Sequence, residues 1–285
     1  MSIKIVSDRM IDLPKEELAA LNVDTIPCYI NMDGKSYSDL DDVFPEDVYR
    51  FMDETGRVAQ TAAKSPAAYS EFFSKFVERG DTVLHFAVSS GISSIAENAK
   101  TAAKDFPGKV YVVDTLLLSN GIALLVKHAL RLIANGETDV EKIVDQVESK
   151  IPLVQCSFLL DTLDCLYLGG RCSGMTYYAA NLLKIKPVIH MNETGHMVIR
   201  EKYRGNQEKV AEQYIRHTFE KYPNPDLSQL YIIYTTDNKA VQESVRKIVE
   251  KHHRFEHIQF NYASCNCCVH SGRNTIALFY MCLSS

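Results

Sequence analysis

The segment Val88-Ser89-Ser90-Gly91-Ile92-Ser93-Ser94 places four hydroxyls around one glycine. An apolar run precedes it, and a helical stretch carrying Ala99, Ala102 and Ala103 follows. A serine-rich loop feeding a helix N-terminus presents hydroxyls and free backbone N–H groups together, which is the chemistry of a carboxylate or phosphate site. Helix capping by Ser93 or Ser94 alone would also account for part of it. A nucleophile elbow would need a second glycine, where Gly91-Ile92-Ser93-Ser94-Ile95 has isoleucine. Arg171 follows the pair Gly169-Gly170, so it projects from a tight turn, either toward an anion or as a solvated cation after a helix end. Thr61, in Gln60-Thr61-Ala62-Ala63-Lys64-Ser65-Pro66, reads by itself as a loop threonine. Cys265-Asn266-Cys267-Cys268-Val269-His270 has C-x-x-C spacing beside a histidine, but no second Cys/His pair to close a zinc site, so these cysteines read as packing residues, with a metal or redox role as the alternative. His190, His196, His252, His253 and His257 show no ligand spacing, and Asp39-Leu40-Asp41-Asp42 reads as a solvated loop. Neither Gly-rich nucleotide fingerprint occurs.

Strand-like runs alternating with helix-period segments must position these groups, which predicts an α/β fold. Strands are predicted over Ile3–Val6, Thr25–Asn31, Thr82–Val88 and Lys109–Val113, with Asp33-Gly34 as a tight turn. Ser65-Pro66 should start a helix carrying the stripe Tyr69, Phe72, Phe73, Phe76, with Gly80 closing it. A second helix is expected from Ser119 to Asn135, buried along Ile122, Leu125, Val126, Ala129, Leu132 and Ile133. Thr138 with Glu141 fits a capping box for a third. Ile151-Pro152 marks a boundary, since the residue before proline is pushed out of the helical region. Beyond it, strands are predicted at Ser157–Leu160, Leu230–Thr235, Ile258–Tyr262 and Thr275–Cys282, with a hairpin joining Leu182–Met191 to Met197–Tyr203. Helices are predicted over Gln207–Tyr222 and Lys239–Lys251. This gives an N-terminal domain over residues 1–152, an α/β/α layer with a mainly parallel sheet. A smaller C-terminal α/β domain with a mixed sheet takes residues 153–285, and the cleft between them is the place for a ligand.

Composition bounds the function. The 285 residues carry 31 Lys and Arg against 36 Asp and Glu, a net charge of −5, with no basic block, which argues against a nucleic-acid binder. Polar Asp8 and Arg9 break any signal-like apolar core, and Lys127, His128 and Arg131 interrupt the most apolar stretch. Neither a leader nor a membrane span is expected, and a cytoplasmic setting with eight reduced cysteines is.

Several segments, in order along nearly the whole chain, resemble the DegV family of bacterial fatty-acid-binding proteins. Ser7-Asp8-Arg9-Met10-Ile11-Asp12-Leu13-Pro14 resembles its opening S-D-S-x-x-D-L-P. Ile26-Pro27 and Asp33-Gly34-Lys35-Ser36-Tyr37-Ser38-Asp39 resemble I-P-L and D-G-x-x-Y-x-D, and Thr61 with Ser65-Pro66 resembles T-S-Q-P-S. Ser89-Ser90-Gly91-Ile92-Ser93 is similar to S-S-x-L-S-G-T, Leu163 to Arg171 to L-x-x-L-x-x-G-G-R, and Leu183-Lys184-Ile185-Lys186-Pro187-Val188 to L-N-I-K-P-I. His270-Ser271-Gly272 falls at the family's H-V-G-P-G. Ser94-Ile95 stands where the family has Gly-Thr, Arg9 where it has Ser, and Arg273-Asn274 where a Gly-Pro pair follows the histidine.

The resemblance implies a long-chain fatty acid, such as palmitate or oleate, held between two domains, with no cofactor and no catalysis by this chain. Thr61 and Ser93, with Ser94 supplying a neighbouring hydroxyl, would hold the carboxylate. Arg171, Arg204 and His270 would lie near the head group or on a surface presented to a partner, a fatty acid kinase that phosphorylates the bound acid. The alternative is an enzyme acting on a small anionic substrate at the Ser89–Ser94 loop. Burial of about fourteen methylenes at ~0.8 kcal/mol each would release roughly 11 kcal/mol before ordering costs, the scale of a nanomolar complex.

Overall fold

The computed structural model describes residues 2–172 and 185–284. The N-terminal half builds a parallel sheet of four strands from β1 (Ile3–Asp8), β2 (Asp24–Ile26), β6 (Thr82–Ala87) and β7 (Val110–Asp114), in the order β2-β1-β6-β7. Between β2 and β6 the chain forms an antiparallel sheet of β3 (Tyr29–Met32), β4 (Lys35–Ser38) and β5 (Gln60–Ala62). The single strand predicted over Thr25–Asn31 is therefore two strands in different sheets. Pro27 lies between them and offers no N–H to continue a ladder, so the chain changes sheets there. The β3–β4 turn has the predicted chemistry, with Asp33 and Gly34 both at positive φ (50° and 74°).

Six helices are distributed through the half that ends near Pro152: α1 (Lys15–Ala20), α2 (Pro45–Thr55), α3 (Pro66–Val77), α4 (Ile95–Ala103), α5 (Asn120–Ala134) and α6 (Val140–Glu148). Ser65 caps α3 by accepting from the Ala68 N–H at 3.3 Å, and Tyr69, Phe73 and Phe76 are buried. The cap of α6 is Asp139, one residue later than predicted; its carboxylate accepts from Glu141 N and Lys142 N, reaching two donors where the Thr138 hydroxyl would have served one.

The second half forms a mixed sheet of six strands in the order β10-β9-β8-β13-β11-β12. These are β8 (Val154–Leu159), β9 (Lys186–Met191), β10 (Met197–Tyr203), β11 (Leu230–Tyr234), β12 (Ile258–Tyr262) and β13 (Ile276–Met281). Only β11 and β12 pair in parallel. The predicted residues Leu182, Leu183 and Lys184 of the first hairpin strand lie outside the described residues. Among the described residues the remaining α-helices are α7 (Asp164–Leu168), α8 (Gln207–Lys221), α9 (Lys239–His252) and α10 (Cys265–Ser271).

Strand alternation divides this sheet between two cores. Cys156, Phe158, Tyr231, Ile233, Ala277 and Phe279 face one way and join the apolar core of the N-terminal half. Leu159, Ile232, Leu278 and Tyr280 face the other way, onto Val210, Tyr214 and Ile215 of α8 and Val245 and Val249 of α9. Helix α5 packs against β1 and β6 of the parallel sheet and against β8 and β13 of the mixed sheet. It is consequently buried at every position from Asn120 to Val126, where the sequence stripe predicted one apolar face. Two sheets on opposite sides of one helix leave its first half no solvent side.

Candidate site: a hydroxyl-rimmed apolar cavity

The order β2-β1-β6-β7 places later strands on the far side of β1, so the sheet has a switch point between β1 and β6. Crevices at the carboxyl ends of such strands are where α/β folds bind ligands. Asp8 ends β1 here and the serine loop follows β6. A cavity of about 300 Å³ opens at this place. Its lining includes the buried apolar Met10, Leu118, Phe158, Ile233, Ala277 and Phe279, the buried polar Ser119, Thr235, Asn266 and Thr275, and the less buried Thr61, Ser93, Ser94, Arg171 and His270. Phe158, Ala277 and Ile233 are direct neighbours across β8, β13 and β11, so the apolar wall is the inner face of the mixed sheet. Side chains from both halves of the chain thus line one space.

The serine loop is fixed from both sides. Ser89 is buried; its Oγ donates to the Gly195 carbonyl at 2.7 Å and accepts from the Gly91 N–H at 3.1 Å. Gly91 is required: a Cβ there would lie 2.4 Å from the Gly195 oxygen. Ser94 occupies the cap position of α4 but its side chain makes no capping bond, and Ser93 Oγ accepts only a long 3.4 Å contact from Ile95 N. Capping therefore does not use up these two hydroxyls, which border the cavity. Ile95, where the family pattern has Thr, is buried and adds to the wall.

Thr61 sits on the edge strand β5, and its Oγ1 lies 2.9 Å from Nε2 of His270 on α10. Burial lowers the His270 pKa to about 3, assisted by the positive charge of Arg171, so the ring is neutral at physiological pH. Arg171 is exposed at the mouth, donating to the Gly169 carbonyl at 2.6 Å. Gly169 itself is held tight: a Cβ would lie 2.4 Å from His270 Nδ1 and 2.9 Å from the Cys165 carbonyl. Five of the six predicted site residues thus share one cavity. Arg204 does not; it is exposed beyond the end of β10, and it does not line the cavity.

A depressed His270 pKa has a consequence for stability. The unfolded ring titrates near 6.5 and the folded one near 3, so the unfolded state binds more protons between these values. The stability is complete above pH 6.5 and falls as pH drops toward 3. By pH 4.5 the loss from this group should be about 2–3 kcal/mol. Urea unfolding of His270→Gln against the parent at pH 7 and pH 4.5 should show a correspondingly shallower acid decline; parallel declines would contradict it.

Two functional anchors escape a linear reading. Asp39, read as solvated, is fully buried, while Asp41 and Asp42 are not. Its carboxylate accepts from Cys265 N (2.9 Å), Asn266 N (3.0 Å) and the Cys28 thiol (3.5 Å). Asp12 accepts from Ser264 N (2.9 Å), Ser119 Oγ (2.5 Å) and the Cys267 thiol (3.3 Å). Burial raises both carboxyl pKa values, and these hydrogen bonds oppose the rise. Together they hold the start of α10, the helix that carries His270, against the N-terminal half. The only sequence signal was their place in the aspartate-bearing motifs at Ser7–Pro14 and Asp33–Asp39.

The Cys265–Cys268 segment is the first turn of α10, capped by Ser264. None of the eight cysteines is in a disulfide. Burial pushes Cys265, Cys267 and Cys268 well above the usual thiol range, with Asp39 or Asp12 raising the first two further, which keeps them protonated and poorly nucleophilic. Among the described residues no group of three or more His, Cys, Asp or Glu is arranged to hold a metal ion. No described helix is long and apolar enough to cross a membrane.

Comparison with known proteins matches this geometry to a family. The family model described as "Uncharacterised protein, DegV family" matches residues 2–282. A protein of Thermotoga maritima named "Fatty acid-binding protein" is 32% identical over 248 residues, 84% of each chain. The solved structure described as "Fatty Acid Binding of a DegV family Protein from Thermus thermophilus" superposes with a TM-score of 0.88 at 26% identity, covering 99% of this chain and 100% of that one. A Thermotoga maritima structure, described as revealing fatty acid binding function, superposes with a TM-score of 0.83 at 27% identity, covering 99% of this chain and 100% of that one.

Proposed function

The chain belongs to the DegV family, and from that premise we propose that it is a carrier that binds a long-chain fatty acid in the cavity between its two halves. The observation that carries the reading is that aliphatic and aromatic side chains make up most of the lining of that cavity, while the hydroxyl-bearing Thr61, Ser93 and Ser94 are among its less buried residues. The acyl chain supplies affinity by burial, and the carboxylate needs only enough donors to offset its desolvation. Thr61, Ser93 and Ser94 are the donors in this reading, with Arg171 adding positive charge at the rim. The names of the Thermotoga and Thermus relatives support the same ligand class.

A carrier also fits the site better than a hydrolase. Ser93 has no histidine base within hydrogen-bond reach among the described residues, and His270 is too weak a base at neutral pH to activate a hydroxyl. The carboxylate lies at the exposed rim in this reading, so the loaded protein presents it to a fatty acid kinase. Transfer of ATP phosphate to palmitate in the presence of such a kinase should then depend on this protein; a kinase equally active on free palmitate would remove the presentation step.

The ligand is tested directly. Lipid extracted from the denatured protein should contain a long-chain acid, and the delipidated protein should take up palmitate. Thr61→Val combined with Ser93→Ala should weaken palmitate roughly a hundredfold or more, at about 1.5–3 kcal/mol per lost hydrogen bond to a charged group. A delipidated, folded protein that takes up neither palmitate nor oleate would refute the reading.

A further inference from the structure

We propose that Asn266 makes this cavity a site for an acyl chain that carries a hydroxyl near its carboxyl end, the chemistry of a long-chain 3-hydroxy acid. The inference rests on the fatty-acid reading for the rest of the ligand and deepens it by naming the substituent that the wall meets.

Asn266 lies on α10 four residues before His270, so the two side chains share one face of the helix, about 6 Å apart along its axis. Both line the cavity, and Asn266 is the more deeply buried, at 6% exposure. Its amide has one orientation. Nδ2 donates to Cys28 Sγ at 3.2 Å. That thiol keeps its proton, because burial and the neighbouring Asp39 push its pKa well above the usual range, and it directs the proton at the Asp39 carboxylate, 3.5 Å away. The sulfur therefore turns a lone pair to the amide, which only the NH₂ side can use. The amide oxygen is left on the other side, and no donor among the described residues reaches it. Nor is that oxygen walled in by protein, as the unpartnered Tyr49 and Tyr231 hydroxyls are. The space it opens on is the cavity.

The other polar groups of the inner lining cannot supply the missing donor. Ser119 Oγ and Cys267 Sγ donate to Asp12, at 2.5 and 3.3 Å. Thr235 donates to the Gly272 carbonyl at 2.7 Å, Ser271 to the Cys267 carbonyl at 2.6 Å and Thr275 to the Ser271 carbonyl at 3.0 Å. These side chains present lone pairs to the cavity and keep their protons for the protein. A plain hydrocarbon chain leaves the Asn266 oxygen unmet, whereas a hydroxyl on the chain brings it a donor. The ionised carboxylate of the ligand is acceptor-only and cannot take that place. The offset of one helix turn from His270, which itself contacts Thr61 at 2.9 Å, suits a hydroxyl on the third carbon and not one at the far end of the chain.

Displacement of a fluorescent fatty acid from the delipidated protein by palmitate and by 3-hydroxypalmitate gives the ratio of their affinities. The wild-type protein should bind 3-hydroxypalmitate at least as tightly as palmitate, although a wholly apolar wall would penalise the added hydroxyl. Asn266→Leu and the smaller Asn266→Ala both keep the backbone N–H that Asp39 accepts, and each should shift the ratio about tenfold toward palmitate. The ratio is read within each protein, so a partly unfolded variant still reports it. With 16-hydroxypalmitate, whose hydroxyl lies at the other end, the ratio to palmitate should be the same in all three proteins. An unmoved ratio for 3-hydroxypalmitate, an equal shift for 16-hydroxypalmitate, or a wild-type preference for palmitate of tenfold or more would each overturn the inference and leave the fatty-acid reading standing. A folded, delipidated protein that takes up none of these acids would overturn both.

Discussion

Ala277→Phe should weaken palmitate binding roughly a hundredfold or more while leaving the fold intact. Ala277 lies on β13 between Phe158 and Ile233, in the middle of the apolar wall, and its side chain faces a cavity of about 300 Å³. A phenyl group there would occupy the path of the acyl chain and displace about four methylenes. At ~0.8 kcal/mol per methylene the loss is about 3 kcal/mol, roughly a hundredfold in affinity or more. The new ring fills existing space, so the overpacking cost should stay within the usual ~1–3 kcal/mol. Displacement of a fluorescent fatty acid, with circular dichroism as the fold control, provides the measurement. Binding at parental affinity would place the acyl chain elsewhere.

Asp39→Ala should destabilise the protein by about 3–5 kcal/mol. The substitution strips the acceptor from two buried backbone N–H groups, Cys265 and Asn266, and from the Cys28 thiol. Each unsatisfied buried donor costs about 1–3 kcal/mol, and losing the solvation cost of the carboxylate itself offsets part of the sum. Asp39→Asn should cost less, because its amide oxygen still accepts from one of the two N–H groups. Urea unfolding followed by circular dichroism decides it: a midpoint unchanged in Asp39→Ala would mean that α10 is held by other contacts. Since α10 carries His270 and Cys267 to the cavity wall, the same variant should also weaken palmitate in whatever fraction remains folded.

Local rules read correctly wherever the chain's own neighbours decide the outcome. The Asp33-Gly34 turn and the Ser65 cap depend on backbone angles and short-range hydrogen bonds, and both are where the sequence places them. Strand and helix periods likewise located β12 and α8 to within a residue. The errors arise where two local solutions compete or a distant partner decides. Thr138 and Asp139 are both competent caps, and the carboxylate reaches more donors. The Thr25–Asn31 run has strand character on both sides of Pro27, but only tertiary pairing assigns each side to its sheet. Arg204, expected near the head group or on a partner-facing surface, is exposed after β10 and does not line the cavity, a position that suits the second of those two places.

The sequence by itself determined the α/β class, most element positions and, through ordered motifs, the family resemblance that identified Thr61, Ser93, Arg171 and His270 as candidates. Only the tertiary structure decided how those candidates meet. Thr61 and His270 are 209 positions apart, Asp39 and Cys265 226, and Ser89 and Gly195 106. A hydrogen bond across such a separation leaves no periodic trace in either segment, because each residue's local pattern is satisfied before the partner arrives. Whether an aspartate is a solvated loop residue or a buried anchor is settled by which backbone amides fold against it. Sequence spacing carries no information about that, whereas a completed core leaves the carboxylate no alternative.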